Sequence, residues 1–205
     1  MRFIELFAGV GGFRYGLEKT TGYQCVYANE WDKYAASIYR YHWNDGTLHE
    51  CDIRTVDPVE LPGHDLIVGG FPCQAFSIAG KRAGFTDTRG ALFFEICRIA
   101  RTCRTKYLLL ENVKGLLNHE GGATFQTIIS TLDELGYDCQ WQVLNSKNYG
   151  VPQNRERVFI IANLRGQSRP KVFPIGENNE RIDEGANEAA VGYCSVLVGR
   201  IKDHV

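Results

Sequence analysis

Short, nearly continuous apolar runs alternate along the chain with stretches whose apolar residues recur every three or four positions. Residues 3–7 predict a buried strand, followed by Ala8-Gly9-Val10-Gly11-Gly12 and a helix over 13–19. Residues 23–28 predict a second strand, and 32–43 carry aromatic and aliphatic residues at helical spacing. A weak strand ends near Cys51 and a clearer one spans 64–68. Helices over 91–104 and 123–135 and strands over 107–110, 137–144 and 157–164 complete the pattern. Strands alternating with helices predict an α/β fold, a mostly parallel sheet covered on both faces. Residues 71–88 have no periodicity and read as a long functional loop. No internal repeat is visible. Beyond Leu164 the pattern decays into a polar stretch with Pro170 and Pro174, acidic from Glu177 onward. The organisation expected is one domain over 1–164 and a linker-like tail over 165–205.

Composition narrows the class. The chain has 205 residues, a length that suits one domain, and a net charge of −1, which gives no global field for nucleic acid. Its apolar runs are too short to cross a bilayer, and Glu5 interrupts the apolar N-terminus, so no secretory signal is expected. A cytoplasmic protein without membrane attachment is the expectation. Seven cysteines, at 25, 51, 73, 97, 103, 139 and 194, include no C-x-x-C. Their spacing suits neither zinc nor a disulfide framework, so no metal is expected and most should be buried thiols.

Candidate chemistry gathers at strand ends. A glycine-rich turn directly after the first strand is where an open α/β sheet binds a nucleotide-like ligand. A dinucleotide fingerprint would place glycine at position 14, but Arg14 stands there. Glu30 follows the second strand about 20 residues after the glycines, where a carboxylate can accept from ribose hydroxyls. Trp31 beside it suits stacking on adenine, and Asp52 ends the third strand on the same rim. Together they favour an adenosine-bearing cofactor over helix caps and core packing; nicotinamide dinucleotide and S-adenosylmethionine both fit at this point.

The fourth strand runs into Gly70-Phe71-Pro72-Cys73-Gln74-Ala75-Phe76-Ser77. Cys73 stands at a strand end with backbone amides nearby, a setting that activates a thiol. A Cys–His hydrolase would need a glycine-flanked elbow and a histidine partner, which are lacking. Glu111-Asn112-Val113 follows the apolar 107–110 run, where a carboxylate should be partly desolvated and suited to moving a proton. Arg155 and Arg157, in Gln153-Asn154-Arg155-Glu156-Arg157, share parity and face one way in an extended segment.

In this order, Phe7–Gly12, Glu30-Trp31, Asp52-Ile53, Gly70-Phe71-Pro72-Cys73-Gln74, Glu111-Asn112-Val113 and the Gln-x-Arg-x-Arg segment resemble the bacterial C5-cytosine DNA methyltransferases over residues 1–164. The resemblance implies a three-layer, Rossmann-like methyltransferase fold with an antiparallel last strand. It implies Cys73 as nucleophile, Glu111 at the cytosine N3 proton, and Arg155 and Arg157 at the flipped base and its phosphate. Phe7, Ala8, Gly9, Gly11, Gly12, Glu30, Trp31, Asp52 and Ile53 would hold S-adenosylmethionine, with Pro72 and Leu92 also reaching that pocket. Gln74, Ser77, Lys81, Arg82 and Arg89 would meet double-stranded DNA. Residues 80–106 hold seven basic side chains against Asp87 and Glu95, a local charge of +5 suited to phosphates.

Two other readings compete: an RNA (tRNA) cytosine methyltransferase, and an inactive cofactor-binding remnant. Family members also carry a target-recognition domain and a C-terminal segment beyond the last motif matched here. Specific DNA contact buries on the order of 1,000–2,500 Å² of protein, which the short acidic tail does not offer. The expectation is therefore a truncated or split enzyme, completed by a separate C-terminal polypeptide.

Overall fold

The computed structural model describes residues 1–72, 91–168, 171–175 and 191–194. The chain divides into two compact units, Met1–Leu110 and Glu111–Val205.

In the first unit β1 (Arg2–Leu6), β2 (Gln24–Asn29), β3 (Leu48–His49) and β4 (Leu66–Gly70) alternate with α1 (Gly12–Thr21) and α2 (Lys33–His42). α3 (Ala91–Cys103) leads into β5 (Tyr107–Val113), whose first four residues belong to this unit. The strand order is β3-β2-β1-β4-β5, and the pairs among the first four strands are parallel. Parallel pairing brings the C-terminal ends of β1 to β4 to one rim, because Leu6 lies opposite both Asn29 and Gly69, and Asn29 opposite His49. The core is built from Phe3, Cys25, Ala28, Tyr39, Leu66 and Val68, with Phe13, Leu17 and Trp43 packed against it. Gly69 is required by a close approach: a Cβ there would stand 2.7 Å from the Leu6 carbonyl oxygen.

In the second unit the order is β5-β7-β6-β8, with β6 (Tyr137–Asn145), β7 (Glu156–Leu164) and β8 (Val191–Cys194). β6 runs antiparallel to both β7 and β8. α4 (Ala123–Glu134) buries Ile128, Ile129 and Leu132, and Phe125 meets Trp141 edge-on with ring centroids 5.1 Å apart. Gln140 and Gln142, on the same side of β6, hold the chain that follows β7. Gln140 Oε1 accepts from the Val172 amide at 3.0 Å, and Gln142 exchanges two hydrogen bonds with the backbone of Ile175, at 2.7 and 2.8 Å.

The elements lie within a few residues of the sequence expectations, with two differences. β5 continues through Val113, so Glu111 is a strand residue rather than one that follows the strand. Val191–Cys194 forms a strand inside the stretch expected to be a linker-like tail. Buried thiols are found at Cys25, Cys97 and Cys139, whereas Cys51 and Cys103 are partly exposed. Among the described residues no helix is long and apolar enough to cross a membrane.

Candidate active site

β1 ends by turning sharply. Phe7 takes φ +55°, a left-handed conformation that costs a bulky residue of order 1–3 kcal/mol and recurs at ligand-binding turns. The turn is closed by Ala8 N–H donating to the Asn29 carbonyl and Gly11 N–H to the Ala8 carbonyl, both at 2.9 Å. Gly11, at φ +85°, is packed under Trp43: a Cβ would stand 2.1 Å from the indole ring. Gly9, at φ +56°, has no neighbour within 4 Å of a Cβ position among the described residues. One glycine thus serves the fold and the other leaves backbone open to a ligand. Gly12 begins α1, and Ala8 is buried.

Glu30 organises this turn. Its Oε2 accepts from the Gly9 amide at 2.8 Å, and its Oε1 accepts from the amides of Trp31 and Asp32 at 2.9 and 2.8 Å. A carboxylate has about four lone-pair positions. Among the described residues these three amides leave one on Oε2, the oxygen shared with Gly9. Trp31 is 69% exposed beside it. Asp32, not Glu30, caps α2, accepting from Tyr34 N and Ala35 N. Asp52 caps a 3-10 turn over Ile53–Thr55 and is clamped by Arg54, whose Nε lies 2.9 and 3.0 Å from its two oxygens. That clamp holds the Asp52 carboxyl below its ordinary range. Ile53 is buried, and its carbonyl accepts from Arg98 at 3.1 Å. Pro72, just past β4, is exposed, and Leu92 lies half-buried in the first turn of α3.

Arg14 was legible only as a departure from a fingerprint. It is in fact 4% exposed and central to the unit. Its guanidinium donates to Glu18 (3.1 Å), Thr47 (2.8 Å), Tyr39 (3.3 Å) and Asp45, and lies 5.1 Å from the Trp43 ring centroid. This contact holds the Asp45 carboxyl down at about 2.

In the second unit Glu111 and Arg157 come together. Arg157 Nε donates to Glu111 Oε1 at 2.8 Å, with side chains only 20% and 22% exposed. The segment that delivers the arginines is stapled to the end of β6. Asn145 Oδ1 accepts from the Arg155 amide at 3.1 Å, its Nδ2 donates to Asn154 at 2.6 Å, and the Ser146 hydroxyl donates to the Gln153 carbonyl at 2.6 Å. Arg155 itself is exposed, and Glu156 pairs with Lys114 at 2.9 Å. Sequence reading missed Asn145 and Ser146; an Asn-Ser pair ending an apolar strand is a turn signal that points to them.

Cys73, Gln74, Ser77, Lys81, Arg82 and Arg89 lie outside the described residues. Of the other basic residues in 80–106, Arg98 is engaged by Glu95 and Lys106 by Asp65, whereas Arg101 and Arg104 are exposed. Among the described residues no group of three His, Cys, Asp or Glu is placed to hold a metal ion.

A strand-end glycine turn, an acidic residue ending the next strand, and a mostly parallel sheet with antiparallel β6 and β7 define a Rossmann-like methyltransferase fold. The chain belongs to the C-5 cytosine-specific DNA methylase family, whose model matches residues 1–192. It is 47% identical over 180 residues to the Type II methyltransferase M.HhaI of Haemophilus parahaemolyticus, covering 85% of this chain and 54% of that protein. It is 48% identical over 160 residues to M.SsoII of Shigella sonnei, covering 78% of this chain and 42% of that protein. The chain thus spans about half the length of these curated relatives. Among solved structures it resembles a Spodoptera frugiperda DNMT2 mutant (TM-score 0.66, 25% identity, 88% of this chain and 54% of that one). The S. pombe Dnmt2 methyltransferase (TM-score 0.71, 22% identity, 90% and 57%) shares the fold.

Proposed function

We propose that the chain carries the catalytic half of an enzyme that methylates C5 of cytosine in double-stranded DNA, with S-adenosylmethionine as methyl donor. The observation that carries this reading is the half-buried Glu111–Arg157 pair, found in a chain that matches the cytosine-methylase model over residues 1–192. The first unit fits an adenosine-bearing cofactor: Gly9 offers open backbone, Glu30 Oε2 keeps one acceptor position for a ribose hydroxyl, and Trp31 offers a ring face. Phe7, Ala8, Gly11, Gly12, Asp52, Ile53, Pro72 and Leu92 would complete that pocket. When bound, the cofactor supplies an electrophilic methyl group.

The chain's own residues must make C5 reactive. The Cys73 thiolate adds to C6, forming a C–S bond, while Glu111 holds the N3 proton and the electron pair of the C5–C6 double bond becomes available at C5. After C5 is alkylated, loss of its proton to a base restores the double bond and expels Cys73. This chemistry requires the base out of the stack. Arg157, fixed against Glu111, and the exposed Arg155 would then meet the base and its phosphate. We further propose that sequence-specific contact is made by a part of the enzyme outside the stretch aligned here, because the matched relatives are about twice as long as that stretch.

The test is tritiated methyl transfer to a mixed-sequence plasmid and, in parallel, to tRNA, by the chain alone and with the C-terminal half of such a relative added. Label recovered as 5-methylcytosine in DNA is expected, chiefly in the supplemented reaction. Label confined to tRNA, or none in either reaction, would sink the DNA reading. A finer prediction concerns Glu30→Ala, which removes both the ribose acceptor and the anchor of Gly9. Charge-assisted hydrogen bonds contribute roughly 1.5–3 kcal/mol each, so calorimetry should show cofactor affinity weakened by about ten- to a hundredfold. Unchanged affinity would reduce Glu30 to a local cap.

A further inference from the structure

The carboxylate in the middle of β1 has no part in the chemistry above. Glu5 is 1% exposed, on the strand that delivers the glycine-rich turn. Its Oε1 accepts from the Arg14 amide at 3.3 Å, and its Oε2 from the Tyr39 hydroxyl at 3.1 Å. Arg14 is the third residue of α1, and amides of a helix's first turn have no partner within the helix. Glu5 thus supplies, from inside the unit, an acceptor to the same first turn that Gly11 and Gly12 begin. It also ties that turn to α2 through Tyr39.

We propose that Glu5 is a positioning residue: its ionised carboxylate, by holding the Arg14 amide and the Tyr39 hydroxyl, sets the first turn of α1 and the glycine-rich turn in the form that accepts an adenosine-bearing cofactor. This rests on the cofactor reading given above. Among the described residues, the charged and titratable groups around Glu5 are Arg14 and Glu18 from α1, Tyr39 from α2, Asp45 from the loop after α2, and Cys25 from β2. β4, its other strand neighbour, contributes only apolar residues and glycine. Arg14 forms its ion pairs with Glu18 and Asp45 rather than with Glu5, so its charge only partly offsets the burial of that carboxyl.

Burial pushes the Glu5 carboxyl up from 4.5 to about 7, against the opposing pull of the Arg14 amide, the Tyr39 hydroxyl and the Arg14 charge. Its charge therefore changes near neutrality. An ionised acceptor makes the stronger hydrogen bonds, so the turn is best held above that midpoint. Stability runs the other way. The folded chain binds a proton that the unfolded chain has already released, so the contribution of Glu5 to stability falls as pH rises from about 4.5 to about 7. Ionisation costs the fold and serves the turn.

The experiment is a calorimetric titration with S-adenosylhomocysteine at about pH 6 and about pH 8.5, either side of that midpoint, on the chain and on Glu5→Gln. Titration of the ligand's own amino group is common to both proteins and cancels between them. The chain should tighten by about fivefold more than Glu5→Gln across this range, the difference between a charged and a neutral acceptor. Glu5→Gln should stay at the weaker level, with a melting temperature that falls less as pH rises. Parallel pH profiles with intact binding would overturn this inference alone. Absence of binding by the unvaried chain would overturn the cofactor reading and this inference with it. Should Glu5→Gln not fold, amide exchange of the unvaried chain decides: protection at Arg14, corrected for intrinsic rate, must rise between the two pH values, and a constant value would refute the proposal.

Discussion

Replacing Cys73 by alanine should abolish the covalent adduct that the enzyme forms on DNA containing 5-fluorocytosine, in whichever preparation of the chain traps that DNA. A fluorine at C5 cannot leave as a proton does, so the reaction halts with the protein bonded to C6. Only the residue that attacked C6 is then recovered on the DNA. The thiol acts in chemistry alone, so cofactor affinity should be nearly unchanged. Two of the other cysteines are poor substitutes. Burial pushes the Cys25 thiol up to about 11 and raises that of Cys97 further, leaving little thiolate at neutral pH. Adduct that persists in Cys73→Ala would direct attention to Cys51, which is partly exposed. Denaturing electrophoresis of protein and labelled DNA reads the result directly.

Gly11→Ala should damage the fold and the site together. The new methyl would meet the Trp43 ring at 2.1 Å, and the backbone sits at φ +85°. A left-handed alanine costs roughly 1–2 kcal/mol, and overpacking typically adds about 1–3 kcal/mol. A loss of about 3 kcal/mol in a chain of this size lowers the melting temperature by roughly 6–12 °C. The sign is not that of an ordinary helix-terminus substitution, as Gly12→Ala should demonstrate. Among the described residues no neighbour lies within 4 Å of that Cβ position, and the backbone is not left-handed, so its melting temperature should hold or rise. Equal destabilisation by the two substitutions would mean that Trp43 yields easily and that the turn is not set by packing.

The parts of the fold that sequence exposes are those written in local periodicity. β1, β2, α2, α4, β6 and β7 are runs whose apolar spacing needs no knowledge of partners, and Glu30 is legible because a strand end and a glycine turn lie at a familiar separation. Long-range partners are not written that way. Arg14 reads as an obstacle to a fingerprint, yet its guanidinium is satisfied by Asp45 and Thr47, more than 30 positions away. Phe7 has the propensity of an extended residue, and only the closure of Ala8 onto Asn29 shows the chain reversing there at φ +55°. Glu111 was expected beyond the strand because apolar periodicity stops at Leu110, although backbone pairing continues to Val113. β8 escaped notice for the converse reason: the polar, acidic stretch before it reads as a linker, although Val191-Gly192-Tyr193-Cys194 carries β-branched and aromatic residues suited to a strand that pairs with β6.

Trp31 carries a practical consequence. The chain has three tryptophans. Trp43 is packed over Gly11 and against Tyr39, and Trp141 lies against Phe125. Trp31, 69% exposed, is the one whose indole is mostly in water. The long-wavelength part of the intrinsic emission should therefore be dominated by this ring beside the glycine turn. An aromatic ligand that covered it would quench or blue-shift that component, so the protein carries its own optical gauge of occupancy, with no label to perturb it.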